Sequence, residues 1–194
     1  MEFTYKPNIT NDELNALPLH YFEGEVVLID TLEQINQSIE ELNNAPQIGF
    51  DTETRPSFKK GKINTVALLQ LSTPEKAYLF RINKIGLPSE IISILEDKNI
   101  TKIGVAIRDD LKNLKKVKNF NPEGFVDLQN YVKQFGIEDN GLRKLTGIVL
   151  NFRMSKAKQL SNWEDNHLSE LQQIYAATDA WACVQIYNIL NENS

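Results

Sequence analysis

The chain has 194 residues, of which 41% are apolar and 24% are charged, and its formal net charge is −5. This length and this balance favour one globular domain with a substantial core, and they exclude a disordered chain. No stretch approaches the roughly 18 consecutive apolar residues of a membrane span, and the first residues lack the basic and apolar regions of a signal peptide. The sequence therefore predicts a cytoplasmic protein that makes no membrane contact.

Strands and helices alternate along most of the chain after a polar N-terminal arm, residues 1–24. The predicted strands are residues 25–30, 47–53, 65–71, 77–82, 100–107 and 125–126. The first predicted helix has Thr31 as its N-cap and ends at Pro46. A long C-terminal helix begins at the Ser169 capping box and ends at about Leu190. The helices predicted between them are residues 88–97, 110–118, 127–136 and 141–149. A hairpin followed by strand–helix alternation indicates an α/β three-layer domain over residues 25–194, with a mixed, mainly five-stranded sheet covered by helices.

The types of metal ligand in the chain are restricted. One cysteine, Cys183, excludes an internal disulfide and a thiolate cluster, and two histidines are too few for a histidine-rich zinc centre. Any metal is therefore expected to be held by oxygen, as hard divalent cations prefer.

Charge is unevenly distributed along the sequence. Residues 1–50 contain one base against nine acids, whereas residues 51–194 contain twenty bases against seventeen acids. Most bases fall in three clusters, at 55–62, 102–118 and 143–158, and the run from Gly141 to Trp163 has no carboxylate. Local basic patches on an acidic chain are typical of solvated surface, and they also suit a polyanion that is contacted at a few phosphates.

Carboxylates occupy two positions where apolar neighbours make them unexpected. Asp51 and Glu53 end an apolar strand and project from one face, because side chains alternate along a strand. Asp179 interrupts the apolar seam of the C-terminal helix, one turn after Tyr175. Acids that repel one another or are buried need a partner, and a shared divalent cation would serve all three.

A third acidic position follows the strand predicted at 100–107. Asp109 and Asp110 lie where that strand turns into a helix, so one of them is expected to cap the helix and the other to point toward the carboxyl edge of the sheet. The residues alone do not distinguish the two.

Three motifs together resemble the DEDD exonucleases, in the branch with Tyr-x-x-x-Asp as its third motif. They are Phe50-Asp-Thr-Glu53, Gly104-Val-Ala-Ile-Arg-Asp-Asp110 and Tyr175-Ala-Ala-Thr-Asp179, with Leu160-Ser-Asn-Trp163 before the third. The resemblance extends over about residues 26–190 and is nearest to the ribonuclease D and Werner-syndrome-type 3′–5′ exonuclease domains. It implies a ribonuclease-H-like fold, and its second motif selects Asp110 over Asp109.

The resemblance also implies a mechanism and a substrate. Asp51, Glu53, Asp110 and Asp179 would hold two divalent cations, Mg²⁺ or Mn²⁺, and Tyr175 would orient the attacking water. The substrate would be single-stranded or 3′-ended nucleic acid, DNA or RNA, shortened from its 3′ end with release of nucleoside 5′-monophosphates. The candidate substrate-binding residues are Thr52 near the terminal 3′-OH and five lysines for phosphates: Lys59, Lys60, Lys62, Lys156 and Lys158.

Other interpretations of the motifs remain. Asp51-Thr-Glu-Thr54 is similar to the D-x-D-x-T motif of haloacid-dehalogenase-like phosphatases, but that interpretation leaves Tyr175 and Asp179 unexplained. An inert nucleic-acid-binding module on the same fold is a second alternative, disfavoured because all four acids and the tyrosine are present. A third keeps the chemistry but restricts it to short oligonucleotides, which need few phosphate contacts. Protein partners cannot be inferred from the sequence.

Overall fold

The computed structural model of the protein describes residues 5–56 and 65–192. Its centre is a six-stranded sheet in the order β1-β4-β3-β2-β5-β6. The strands are β1 (Glu25–Ile29), β2 (Gln47–Thr54), β3 (Val66–Ser72), β4 (Lys76–Phe80), β5 (Thr101–Gly104) and β6 (Phe125–Asp127). The helices are α1 (Asn11–Ala16), α2 (Ile35–Asn43), α3 (Ile82–Ile85), α4 (Ser89–Glu96), α5 (Ile107–Val117), α6 (Leu128–Tyr131), α7 (Leu142–Leu145) and α8 (Glu170–Glu192).

The sheet is mixed, as the sequence predicts. The hairpin partners β3 and β4 are antiparallel, and β3 is also antiparallel to β2. The pairs β1–β4, β2–β5 and β5–β6 are parallel. The sixth strand is the three-residue β6, at the edge, so the main body has the expected five strands.

Helices cover both faces of the sheet. On one face, Ile48 and Phe50 of β2 pack in a core with apolar residues of α2, α4 and α5. On the other face lies α8, which contacts all of the first five strands and packs most extensively on β2 and β3. Side chains of β2 alternate between the two faces, so Phe50 enters the first core while Asp51 and Glu53 point toward α8.

The long helix approaches β2 unusually closely, and one glycine permits this. A Cβ atom on Gly49 would lie 1.8 Å from the carbonyl oxygen of Ala180, so no larger residue fits without moving α8. Small residues on the sheet-facing side of the helix, Ala176, Ala177 and Ala180, are fully buried. This contact holds Asp179 over the end of β2.

The second acidic motif differs from the prediction in one respect. The strand predicted at 100–107 ends at Gly104, and α5 begins at Ile107 rather than at residue 110. Ala106 makes the turn with a left-handed backbone (φ 57°). Asp109 and Asp110 therefore both lie in the first turn of α5, and the capping position is Ala106, so Asp109 is not the N-cap.

Two predicted helices are less regular than expected. The segment 127–136 is α-helical only at α6 and continues as a 3₁₀ turn, and 141–149 is α-helical only at α7 and continues as a π-type turn. Both predicted capping boxes are present: the side chains of Gln34 and Gln172 accept from the backbone N–H groups of Thr31 and Ser169. In the described part of the chain, no helix is long and apolar enough to cross a membrane.

The N-terminal segment contains structure that the sequence analysis did not predict. Helix α1 begins at a Thr10–Glu13 capping box and buries Leu14. Leu19 forms a parallel bridge with Arg153, and the backbone N–H of Phe22 donates to the Thr178 hydroxyl on α8 (3.0 Å). The segment thus packs along one side of α8, and the division of the chain at residue 25 stays a prediction.

Candidate active site

Three carboxylates converge where β2 passes beneath α8. One oxygen each from Asp51, Glu53 and Asp179 lies within 4.8 Å of the other two. Asp51 and Glu53 are half-buried and Asp179 is buried. Among the described residues, no other three acidic, histidine or cysteine side chains bring their ligand atoms this close together. The oxygen donors of this group suit a hard divalent cation.

The protonation of these acids reflects their crowding. Burial raises the pKa of Asp51 well above its ordinary value, and the charges of Asp179, Glu53 and Asp110 raise it further. Burial and the charges of Asp179 and Asp110 raise the pKa of Glu53 to about 9. Burial also raises the pKa of Asp179, although a hydrogen bond from Tyr175 opposes that shift. Without a cation the cluster therefore retains protons at neutral pH.

Asp110 lies next to this cluster rather than in it. Its carboxylate accepts a hydrogen bond from the hydroxyl of Thr52 (2.5 Å), which anchors α5 to β2 beside the two strand acids. Burial raises the pKa of Asp110, and the charge of Asp110 in turn raises the pKa values of Asp51 and Glu53. Asp109, one residue earlier, is exposed. The geometry thus favours Asp110 as the fourth acid of the site.

The neighbouring aspartates of α5 provide a matched pair of variants. If the chain hydrolyses nucleic acid, as the resemblance of its motifs implies, Asp110→Asn should lower the rate by about a hundredfold or more, since it removes a charge that would stabilise bound cations. Asp109→Asn should leave the rate within about twofold of the wild type, because an exposed carboxylate contributes little. Initial rates at saturating Mg²⁺ would check both. Equal losses in the two variants would contradict the assignment.

Tyr175 precedes Asp179 by one helical turn, and its hydroxyl hydrogen-bonds to the Asp179 carboxylate. Its ring lies 6.1 Å from that of Trp163, which is fully buried beneath α8. Packing, not base stacking, is therefore the role of Trp163. Burial, together with the charges of Asp179 and Glu53, raises the pKa of Tyr175 above its ordinary value, so the hydroxyl keeps its proton.

A cleft of about 500 Å³ opens over the acids. Asp51, Glu53, Tyr175 and Asp179 line its floor, and Lys156 lies on its wall. Lys158 is two residues further along the same turn and faces a separate cavity. Lys59, Lys60 and Lys62 lie outside the described residues. The substrate-binding roles of Thr52 and all five lysines stay predictions.

The cleft also contains residues that the sequence analysis did not assign to a site. Arg143 lines it from α7, and Asn11 and Leu14 line it from α1. Arg143 belongs to the carboxylate-free basic run, which was the available signal for it. Lys102 shows the opposite outcome: this member of a basic cluster is fully buried, where its ammonium donates to the backbone carbonyls of Asp97 and Ile100.

Comparison with known families agrees with this geometry. A family model described as 3′–5′ exonuclease matches residues 26–193, nearly the whole chain. The chain belongs to the 3′–5′ exonuclease domain family. It is 37% identical over 155 residues to the mouse bifunctional 3′–5′ exonuclease/ATP-dependent helicase WRN, covering 77% of this chain and 11% of that protein. It is 31% identical over 151 residues to an Arabidopsis thaliana 3′–5′ exonuclease, covering 75% of this chain and 52% of that one.

Solved structures of such exonucleases have the same fold. The EXO domain of Aedes aegypti Nibbler matches with a TM-score of 0.80 at 24% identity, over 89% of this chain and 91% of that domain. Escherichia coli RNase D, an exoribonuclease, matches with a TM-score of 0.78 at 25% identity, over 87% of this chain and 45% of that structure. The predicted ribonuclease-H-like fold and the predicted family are thereby confirmed. The chain spans about half or less of the length of the mouse and Arabidopsis relatives.

Proposed function

We propose that this exonuclease-family domain hydrolyses phosphodiester bonds at the 3′ end of nucleic acid and depends on two divalent cations. The observation that carries the proposal is the convergence of Asp51, Glu53 and Asp179 beneath a cleft with a basic wall. In the reaction a water oxygen bonds to the last phosphorus, the bond from phosphorus to the 3′ oxygen of the preceding nucleotide breaks, and that oxygen takes up a proton. The product is a nucleoside 5′-monophosphate.

The donor set fits Mg²⁺ or Mn²⁺, since every candidate ligand is a carboxylate oxygen. Asp51, Glu53, Asp179 and, from the neighbouring helix, Asp110 would hold the cations. When bound, the cations lower the pKa of a water molecule and offset the charge that develops on the phosphate. The raised pKa values of the carboxylates support this assignment. These acids repel one another when ionised, and bound cations would offset that repulsion and allow all of them to ionise.

Tyr175 would position the attacking water. Its hydroxyl keeps its proton, so it is unsuited to act as a base, and its bond to Asp179 fixes where its oxygen lies. The ring is held from behind by Trp163. With its ring packed on Trp163 and its hydroxyl bonded to Asp179, the tyrosine can orient a water over the scissile phosphate by hydrogen bonding alone.

Tyr175→Phe tests that role. We expect the maximal rate to fall by about 10- to 100-fold, the range for losing one positioning hydrogen bond, while the Mg²⁺ concentration for half-maximal activity changes by about twofold or less. The ring and its contact with Trp163 persist in this variant. Metal titrations of both proteins would separate the two effects. A metal requirement that rises as much as the rate falls would show that the tyrosine shapes the cation site instead.

The cleft wall supports nucleic acid as the substrate. Lys156 and Arg143 supply positive charge to the cleft that the acids line. An RNase D of Trypanosoma brucei, similar in fold at a TM-score of 0.76, has been solved in complex with RNA U12. For this chain we propose a single-stranded or 3′-ended strand.

The proposal is tested by 3′-end degradation, and by binding, of 5′-labelled single-stranded DNA, matching RNA, a recessed duplex and dinucleotides to tetranucleotides. Each substrate is incubated with Mg²⁺, Mn²⁺ or EDTA, alongside the Asp51→Ala protein as a control. A metal-dependent ladder that shortens from the 3′ end, absent in the variant, is the expected result. Turnover only of dinucleotides to tetranucleotides would favour the oligonucleotide-restricted enzyme. Binding of a strand without hydrolysis of any substrate would favour an inert module.

A further inference from the structure

An amide side chain is buried in the sheet beside the acidic cluster without a hydrogen-bond partner among the described residues. Gln70 of β3 is 0% exposed, and neither its Oε1 nor its Nε2 is hydrogen-bonded within that part of the chain. A buried amide in this state destabilises the fold, because it has lost its hydrogen bonds to water and gained none in return. Such a group calls for an explanation, and a functional role is one.

The strand register places Gln70 directly opposite Asp51. The two residues are paired in the antiparallel β2–β3 ladder, ahead of the irregularity between Glu53 and Thr54. Paired residues point to the same face of a sheet with their Cβ atoms about 4.5–5.5 Å apart, a gap that a glutamine side chain is long enough to bridge. Gln70 therefore lies on the α8 side of the sheet, next to a carboxylate of the candidate active site.

The other surroundings of Gln70 offer its amide little. Its partner on β4 is Leu79, which is fully buried, and α8 packs on β3 through small apolar residues. Ser72, the next residue on this face of β3, already donates from its hydroxyl to the backbone carbonyl of Thr73 (2.7 Å). Asp51 is thus the neighbour whose carboxylate oxygens can accept from the amide.

Two of the other acids of the site have a side-chain donor of their own. Asp110 accepts a hydrogen bond from the hydroxyl of Thr52, and Asp179 accepts one from Tyr175. Asp51 has only a backbone donor in the described part of the chain, the N–H of Thr52. Carboxylates that bind metal are commonly oriented by additional hydrogen bonds, and their loss weakens metal binding.

We propose that Gln70 is a positioning residue of the cation site, whose Nε2–H donates to one carboxylate oxygen of Asp51 and leaves the other oxygen for the cation. The inference rests on the proposed function, which supplies the cation site, and adds a residue that contacts neither cation nor substrate. Gln70 would act through Asp51, by limiting the orientations of that carboxylate. An amide that gains its hydrogen bond as the cation binds also adds to the affinity of the site.

The test measures metal binding and stability separately. Affinities for Mn²⁺ and Mg²⁺ are obtained by calorimetry on protein without nucleic acid, and thermal unfolding is followed in EDTA. Gln70→Met keeps an unbranched side chain and removes the amide, and Gln70→Leu is a second apolar variant. The matched control is Ser72→Ala, because Ser72 is equally buried on the same face of β3 but its hydroxyl is hydrogen-bonded.

We expect both Gln70 variants to weaken Mn²⁺ binding by about tenfold, the lower end of the range for losing a residue that supports a metal ligand. In EDTA the same variants should melt about 2–4 °C higher, because an apolar side chain replaces a buried group that has no partner. Ser72→Ala should melt lower than the wild type, with its metal affinity changed by about twofold or less. A purely structural role for Gln70 would not combine weaker metal binding with a higher melting temperature.

A second measurement requires no substitution. In the wild type, a side-chain amide proton of Gln70 should move downfield in NMR spectra as Mg²⁺ saturates the protein, because a hydrogen bond to an ionised acceptor is stronger than one to a neutral acceptor. Steady-state hydrolysis adds a third readout: in Gln70→Met the Mg²⁺ concentration for half-maximal activity should rise about tenfold, while the maximal rate falls by about threefold or less.

Three results would overturn the inference and leave the cation site in place. They are an unchanged metal affinity in the folded Gln70 variants, amide signals of Gln70 that do not move when Mg²⁺ binds, and lower melting temperatures for both apolar variants. The last would show that the amide is already hydrogen-bonded in solution. If the wild type binds neither Mn²⁺ nor Mg²⁺, the proposed function fails, and the role of Gln70 fails with it.

Discussion

Asp179→Asn should reduce phosphodiester hydrolysis by at least about a thousandfold, a loss of roughly 4 kcal/mol in transition-state stabilisation. The amide keeps an oxygen that can accept from Tyr175, so the helix and its contact with β2 should persist. What is lost is one of three charges that converge within 4.8 Å. In the absence of divalent metal the same substitution should stabilise the fold, because it relieves repulsion between buried carboxylates.

Both consequences can be measured on one preparation. Rates are compared at saturating Mg²⁺, and thermal unfolding is followed in EDTA. For a chain of this size, a change of 1 kcal/mol in the free energy of unfolding shifts the melting temperature by about 2–4 °C. Glu170→Gln is the matched control, since Glu170 is an exposed carboxylate in the first turn of the same helix. Mg²⁺-dependent hydrolysis within tenfold of the wild type in Asp179→Asn would remove this residue from the ligand set.

The second large effect is on stability against pH. In EDTA, the free energy of unfolding should increase as pH falls from 9 to 5, opposite to the trend for carboxylates in salt bridges. The folded pKa of Glu53 is about 9 against an ordinary 4.5, so between these values the folded chain holds a proton that the unfolded chain lacks. Stability is then lost as pH rises, by up to about 1.4 kcal/mol per pH unit for each such group.

Thermal unfolding between pH 5 and 9 would check this trend, with and without Mg²⁺. Bound cations should flatten the dependence and stabilise the fold at the alkaline end, because they bind the ionised carboxylates of the folded state. Glu53→Gln should reduce the slope in EDTA, whereas Asp109→Asn should leave it unchanged, since Asp109 is exposed. A melting temperature that is constant from pH 5 to 9 in EDTA would mean that the acids are not coupled as their positions imply.

The two predictions rest on features that sequence periodicity already indicated. Asp51 and Glu53 share a face because a strand alternates, and Asp179 faces the sheet because the apolar seam of α8 runs through it. The capping boxes at Thr31 and Ser169 are equally local. Each of these patterns involves residues within about one or two turns of one another, so the chain specifies them without reference to distant segments.

Other parts of the site depended on long-range packing. The left-handed turn at Ala106 starts α5 early and brings Asp110, not Asp109, to Thr52. Helix α1 and Arg143 come to the cleft from segments about 130 residues apart in sequence. Lys102, which belongs to a basic cluster in the sequence, is buried because β5 lies inside the sheet.

The sequence by itself thus determined the acids of strand and helix, the tyrosine beside them and the α/β order of the elements. Only the tertiary structure decided how closely α8 approaches β2 and which aspartate of α5 joins the site. The physical reason is that periodicity determines on which face of a helix or strand a side chain lies. The residues that this side chain contacts depend on which distant segment of the chain packs against that face. Gly49 illustrates the difference. The sequence shows that this position has no side chain, but only the structure shows that the carbonyl of Ala180 occupies the space.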